Sequence, residues 1–519
     1  YIGIKELTYR LQHIISNMES LEMYRGHFYN WYDIKNKVPL KPRYISTVDS
    51  GNLVAYMWLT EESLEEYLSY PIINKNLPDG FKDTLKLAQN ELYSNLKIEY
   101  AYDNFIDKLS KDNLTIFSLE SFLQDLNREC VKFIGTGKDL YWNEKVKNMT
   151  CKFMDELNEF FPWIFFIKEN DKFYDFRCQL NELATKIPLK EVPEAFDKLI
   201  NLIDKGNKRD FLEEENRHKD DLKKLLLNSK LNLCNFISNV KNIIGKLRTI
   251  DEDHNFSMLY SKKRQLFAIG YDVEKDTIGK NYYDLLASEA RQASFVSIAK
   301  GEIKQNHWFN LGRSMASMGG GKGLVSWSGT MFEYLMPLII MKNFPNTLLS
   351  ETYEYVVKAQ KKYGEKRKIP WGISESAYYD FDINSIYQYK AFGIPAAGLK
   401  RGLINELVIA PYASLMALQV DFKSAFCNVK SLIKSKAEGR YGFYEAIDYT
   451  KERLARKQKC ALVKCFMVHH QGMSFMSLDN VLMENVLQER FHKIPKVKSA
   501  ELLLQEKIPK NIIYNHEEH

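Results

Sequence analysis

Helical periodicity limits what this chain can fold into more than any other feature does. Residues 4–24, 51–68, 81–109, 118–133 and 143–160 each carry apolar side chains at spacings of three and four. That is the pattern of a helix with one face turned to a core. Pro71, Pro78 and Pro162 fall in the gaps, where a helix must stop. Ser118 is followed three positions on by Ser121 rather than by Glu or Gln, so Ser118 is expected to cap its helix without a full capping box. Residues 204–248 keep the helical period but are highly charged. Their run 208–224 reads as a solvated outer helix, or as one packed only at its C-terminal end.

The pattern changes near Asp251. Gly, Ser, Trp and His become frequent, and short helical segments alternate with loops. Two β-like runs, 258–260 and 266–270, predict a hairpin. Helical period returns at 284–299, 331–341, 352–362, 413–420, 422–435 and 474–487. There is no internal repeat. A helix-rich first half (1–250) and a loop-rich second half (251–519) fit one all-α domain, a barrel of paired helices with long loops and a few short β-strands. In such a barrel the loops at one end of the inner ring form the site.

Composition removes several alternatives. The net charge of +6 is small for 519 residues and comes from Lys mixed with Glu and Asp, with no basic stripe of the kind a nucleic-acid binder needs. The seven cysteines (130, 151, 178, 234, 427, 460 and 465) are odd in number and lack CxxC spacing. They read as small buried hydrophobes in a reducing compartment. The longest apolar runs, such as 335–341, are too short to span a bilayer, and no signal peptide is seen. The chain begins at Tyr1 rather than Met, which predicts a segment of a longer polypeptide. Tyr (31) and Phe (30) each outnumber Gly (25). In a groove, such aromatic planes are the usual surface on which sugar rings stack.

Glycosyl transfer needs two carboxyl groups across the scissile bond, one to protonate the leaving oxygen and one to attack or to activate a nucleophile. Several second-half segments join carboxylates to aromatics, Gly and His. Glu289 stands near a predicted helix start beside Arg291, where it also reads as an early-turn carboxylate favoured by the helix dipole. Glu375 follows a proline in a polar turn, and reads equally as a cap on the next helix. Glu333 sits among apolar residues, where it would be a buried partner of Arg, an acceptor for a sugar hydroxyl, or an edge residue. The adjacent His469 and His470 point to different sides of any regular element and lack HExxH spacing, so no metal and no cofactor is expected. They read as hydrogen-bonding groups, or as the N-terminal cap of residues 471–487. The run Met318-Gly319-Gly320-Gly321-Lys322-Gly323 lacks the phosphate-loop pattern and reads as a mobile loop near the site, or a lid.

Taken in order, the second-half blocks are ASEAR (287–291) with FVSIAKGEI and HWFNLGR, SWSGTMFEYLMP (326–337) and PWGISESAY (370–378). There follow YQYKAFGIP with GLKRGL, VIAPYASLMAL, EGRYGFYEAIDY (438–449) and HHQGMS (469–474). With GHFYNWYD (26–33) and PRYISTVDSGNL (42–53), they resemble the glycoamylase-like middle domain of cyclic β-1,2-glucan synthases. The blocks cover nearly the whole chain apart from residues 68–247.

The resemblance implies an (α/α)6 barrel related to endo-β-1,2-glucanases, acting on linear β-1,2-glucan. It implies a soluble piece of a large synthase on the cytoplasmic side of the inner membrane, partnered by glycosyltransferase and phosphorylase-like parts of the same protein. The implied reaction is ring closure by transglycosylation. Because a β-linked chain becomes a β-linked ring, the anomeric configuration is kept, which favours a covalent glycosyl-enzyme. On this basis Glu375 is the expected nucleophile and Glu289 the general acid/base. Trp327, Trp371, Tyr378 and Tyr441 are the candidates for stacking. Arg43, Asp49, Arg291, Glu333, His469, His470 and Gln471 are those for hydroxyl contacts. A hydrolytic endo-β-1,2-glucanase and a non-catalytic glucan-binding module are the competing readings.

Overall fold

The computed structural model describes residues 1–74, 76–91, 114–133, 141–169, 174–205, 213–318 and 321–508. The chain is mostly helical, with short strands. It divides into two compact units, one made of Tyr1–Ser20 and Ser63–Arg248, the other of Leu21–Glu62 and Thr249–His519. The break after Arg248 falls at the change of composition. The segment Leu21–Glu62, placed by sequence in the first half, belongs to the second unit.

The first unit is built from helices whose apolar stripes face inward. Val192–Lys205 buries Val192, Phe196, Leu199, Ile200 and Ile203, spaced by three and four. The long helix Glu213–Asp253 begins its buried stripe at Leu222 and continues through Leu226, Leu233, Val240 and Leu247. Of the charged run 208–224, residues 208–212 lie outside the described residues, and Arg217 and Asp220 are exposed while His218 and Lys219 are half-buried. The helix Ile116–Phe133 corrects the cap. Thr115 is the N-cap, its Oγ1 accepting from Ser118 N at 3.0 Å, while Ser118 Oγ accepts from Thr115 N at 2.9 Å. Ser118 thus plays the part that Glu takes in a capping box. The predicted helix 81–109 is present as Leu77–Glu91, and its remainder lies outside the described residues.

The first helix ends at Glu19 rather than Tyr24. Met23–Tyr24 instead pairs with His27–Phe28 in the second unit. Arg25 and Gly26 both have positive φ (51° and 81°), the two-residue turn whose twist suits a hairpin.

The second unit carries the strands. Tyr260–Ser261, Leu266–Ala268 and Tyr282–Tyr283 form one antiparallel sheet, which includes the predicted hairpin. Tyr44–Ser46, Gly270–Asp272 and Thr277–Ile278 form another, with Ile45 opposite Tyr271. A third joins Val408–Ile409, Ala446–Asp448 and Ala461–Val463. Met315–Met318 pairs antiparallel with Gly321–Leu324, so the described ends of the glycine-rich run are strand, with Leu324 N donating to Thr352 Oγ1 at 3.1 Å. Gly319 and Gly320, in the run read from sequence as a mobile loop or lid, lie outside the described residues. The central helix Leu348–Arg367 is buried on most of its surface, capped by Thr347 and closed by Lys368 in the left-handed region.

Two expectations about cysteines and membranes can be set against this fold. Cys130 is buried, but Cys178 and Cys427 sit on outward helix faces, so the cysteines are not uniformly core residues. Among the described residues, no helix is long and apolar enough to cross a membrane.

Candidate active site

Three segments of the second unit converge on one cavity of about 660 Å³. Each brings a glutamate, and polar contacts fix each in place.

The first segment is a bend ahead of the helix Arg291–Ala299, so Glu289 precedes that helix instead of lying in it. Leu286 N donates to Gly312 O at 3.0 Å and Gly312 N to Asp284 O at 2.6 Å, which holds the chain extended where its apolar pattern predicted a helix. Glu289 lines the cavity together with Tyr282, Tyr283, Asp284 and Ser288.

The second segment contains Trp327 and the short helix Met331–Leu335, which carries Glu333. The Glu333 carboxylate accepts from Ser326 Oγ at 2.6 Å and from Ser328 N at 3.1 Å. Gly329, at φ +68°, passes so close to the backbone of Ile394 that a Cβ there would lie 2.6 Å from its carbonyl oxygen. Only glycine lets this turn form.

The third segment, Trp371–Glu375, is clamped by amide side chains that copy a strand partner. Gln360 donates to Ile373 O at 2.8 Å and accepts from Ile373 N at 3.0 Å. Asn428 treats Trp371 in the same way, at 2.7 and 3.1 Å. Beyond them, Ser374 Oγ meets Thr330 Oγ1 (2.7 Å) and Tyr412 Oη (2.8 Å), and Glu375 N donates to Thr330 Oγ1 at 2.8 Å. The Glu375 carboxylate is thereby aimed at the cavity from a fixed backbone.

The carboxyl environments differ. Glu289 is half-buried in the cavity wall, and desolvation raises its pKa well above the carboxylate range, with Glu375, Glu333 and Asp49 adding repulsion. Burial also raises Glu333, to about 7, against the donors from Ser326, Ser328 and Thr330. Glu375 is raised by burial too, but a hydrogen bond from Tyr389 and the charges of His470 and Lys400 oppose the rise. One cavity therefore holds a carboxyl kept protonated and another supplied with groups that favour its ionised form, the division that acid/base pairs require.

The remaining sequence candidates are distributed differently. Trp327 lines the cavity and is 60% exposed, open to a ligand's face. Trp371 is buried among core residues, so it packs the third segment and offers no stacking surface. Arg291 is 1% exposed and spends its guanidinium on the carbonyl oxygens of Ser288, Glu333 and Tyr334, not on Glu289 or on the cavity. Arg43 pairs with Glu22 at 3.2 Å. Asp49 lines a second, smaller cavity of about 100 Å³ with Asn30, Ser50 and His254. Tyr378 lies under Arg453, at 4.8 Å. Tyr441 is exposed beside Phe466, and Gln471 donates to Phe443 O at 3.1 Å.

The histidine pair lies inside the helix Val468–Leu482 rather than capping it. His470 is buried, its Nδ1 2.8 Å from Glu445 Oε1, and His469 is exposed beside Tyr389. Among the described residues, no cluster of His, Cys, Asp and Glu is placed to hold a metal ion. Periodicity missed Tyr282 and Tyr283 in the cavity wall and Tyr389, Tyr412 and Glu445 behind Glu375. All five lie within or just before the motif blocks, which was the available signal.

Residues 281–495 match the glycoamylase family, described as a putative glucoamylase. Over 99% of its length the chain is 34% identical to the cyclic beta-(1,2)-glucan synthase NdvB of Rhizobium meliloti (strain 1021), and it spans 16% of that protein's length. Among solved structures it is similar to a mutant endo-beta-1,2-glucanase from Talaromyces funiculosus in complex with beta-1,2-glucan. The TM-score is 0.40 at 12% identity, covering 76% of this chain and 84% of that one. The complex of the Talaromyces funiculosus endo-beta-1,2-glucanase with sophorose gives 0.37 at 11% identity, over 94% and 90%. At these scores neither fixes the fold. The likeness seen in the motif blocks thus extends along nearly the whole chain, and the second half carries a glycoamylase-like domain.

Proposed function

We propose, for a chain that carries a glycoamylase-like domain, that it processes β-1,2-glucan and closes linear chains into rings by anomer-retaining transglycosylation. The observation that carries this is the opposed setting of Glu289 and Glu375 on one cavity. Glu375, supported by Tyr389, His470 and Lys400, is the nucleophile. Glu289, desolvated in the cavity wall and crowded by other carboxylates, is the acid that protonates the leaving oxygen and later the base that activates the acceptor hydroxyl.

The steps balance without a cofactor. Glu375 attacks the anomeric carbon and forms an ester as the glycosidic bond breaks, and the proton of Glu289 goes to the departing oxygen. The non-reducing-end hydroxyl of the same chain then gives its proton back to Glu289 and displaces Glu375, restoring the β-configuration. Trp327 offers a stacking face at the cavity, and Glu333 accepts from a sugar hydroxyl or holds a proton nearby. The (α/α)6 barrel, and the place of this chain beside the glycosyltransferase and phosphorylase-like parts of a membrane-associated synthase, belong to the same proposal. The likeness to NdvB along 99% of the chain supports them.

Trapping tests the central step. An activated 5-fluoro sophorosyl fluoride, which leaves O2 of the reacting sugar free to carry its β-1,2 link, is expected to label one peptide, at Glu375. Labelling at Glu289, or inverted product from linear β-1,2-glucan, would reverse the assignment.

A further inference from the structure

Behind Glu375, Tyr389 and His470 belong to a longer buried polar chain that ends at Glu445. Glu445 is 2% exposed, and its Oε1 accepts from His470 Nδ1 at 2.8 Å and from Ala377 N at 3.2 Å. The imidazole of His470 is 1% exposed and stacks flat on Tyr412, with centroids 3.9 Å apart and planes at 11°. Tyr412 in turn donates to the carbonyl oxygen of Glu375 at 2.8 Å. On its other side, His470 Nε2 lies 3.5 Å from Tyr389 Oη, and Tyr389 shares a side-chain hydrogen bond with the Glu375 carboxyl. A carboxylate, an imidazole and a phenol thus lead in sequence to the proposed nucleophile.

Burying Glu445 and His470 together is costly unless each fixes the other. Their pairing fixes more than stability alone would need. With Nδ1–H committed to Glu445, the ring cannot turn, and Nε2 is held facing Tyr389. Tyr389 has one proton. A donor on His470 Nε2 leaves that proton free for Glu375, and with Nδ1–H also donating it makes the ring the cation that favours an ionised Glu375, while Glu445 Oε2 is buried without a hydrogen-bond partner.

Resting on the reading of Glu375 as nucleophile, we propose that Glu445, His470 and Tyr389 are positioning residues that orient the Glu375 carboxylate and keep it ionised in the cavity. They touch no substrate. The other charged or titratable groups that act on Glu375, or that Glu375 perturbs, are Glu289, Glu333, Lys400, Tyr283 and Tyr412. Lys400 works in the same direction as the row, and the two glutamates work against it. His469, exposed on the helix surface beside Tyr389, is lowered to about 4 by the partial desolvation of its ring and by the charge of His470.

The test compares Tyr389→Phe and Glu445→Gln with wild type on linear β-1,2-glucan. Both should lower kcat about tenfold or more, leave KM within about twofold, and move the acid limb of kcat/KM up by about one pH unit. A readout independent of turnover is the pH dependence of carbodiimide labelling at the Glu375 peptide, followed by mass spectrometry. Its midpoint should rise in both variants. An unmoved midpoint and acid limb would overturn the proposal, even with activity reduced, because a purely structural role lowers activity without shifting either. Full activity in Glu375→Gln would sink the nucleophile reading instead, while the labelling midpoint would still report on the row. Tyr389→Phe removes a single oxygen, so it carries the test if Glu445→Gln does not fold.

Discussion

Nη1 of Arg291 donates to the carbonyl oxygen of Glu333 at 2.8 Å, so a side chain that follows one cavity glutamate by two positions holds the backbone of another. The same guanidinium reaches Ser288 O and Tyr334 O and lies over the Tyr353 ring at 5.7 Å. Two of the three glutamate-bearing segments are therefore stapled by one buried cation. Arg291→Ala should destabilise the protein by roughly 3 kcal/mol, since it strands several buried carbonyl oxygens. Urea denaturation measures it. Arg291→Lys should recover only part, because an ammonium cannot fork to carbonyls on two segments. A loss under about 0.5 kcal/mol for the Ala variant would show the staple to be idle.

Trp327 and Trp371 come from neighbouring motif blocks and look alike in sequence, yet they should behave in opposite ways. Trp327→Ala should raise KM for linear glucan several-fold with stability changed by less than about 0.5 kcal/mol. Trp371→Ala should cost about 3–5 kcal/mol of stability by opening a core cavity. Paired melting curves and steady-state kinetics separate them, and equal stability losses would contradict the placement of Trp327.

Buried carboxyls with raised pKa values also set how stability depends on pH. A group raised on folding adds its full share of stability below its unfolded pKa and loses it as pH climbs through the folded value. Glu333, pushed up to about 7, should therefore weaken the fold progressively between about pH 4.5 and 7. Glu289, also raised well above the carboxylate range, loses its share in the same direction as pH climbs. Glu289→Gln should then melt above wild type at pH 8 and close to it at pH 4.5. A variant that melts lower at pH 8 would mean that Glu289 is ionised and paired in the folded state.

The same two groups shape activity. Turnover requires Glu375 ionised and Glu289 protonated, so kcat/KM should fall on the acid side as Glu375 protonates, above the usual glutamate range. The fall on the alkaline side should follow loss of the Glu289 proton. With an aryl sophoroside whose leaving group needs no protonation, Glu289→Gln should keep rapid formation of the glycosyl-enzyme, while Glu375→Gln should form none. Burst kinetics distinguish the two, and a burst in Glu375→Gln would move the nucleophile elsewhere.

Much of the helical framework was legible because burying one face demands apolar residues at spacings of three and four, as in Val192–Lys205. The failures share a cause: the contacts that decided them are distant in sequence. Residues 284–290 have a helix-compatible pattern, but Gly312 holds Asp284 and Leu286 in an extended ladder. Trp371 was read as a surface because nothing local says that Asn428 and Gln360 would draw its segment into the core. His470 was a plausible sugar contact until Glu445, 25 residues away, turned out to hold its ring. Glu375, by contrast, stood out locally, as a carboxylate in a polar turn bounded by Trp371 and Tyr378.

Product analysis tests the central claim most directly. The purified chain is incubated with linear β-1,2-glucan, and the products are separated and weighed. Cyclic glucan, lighter by one water than linear glucan of the same length and formed without a matching rise in reducing ends, is the predicted result. Reducing ends that accumulate with no cyclic product would contradict ring closure and leave a hydrolase built on the same pair of glutamates.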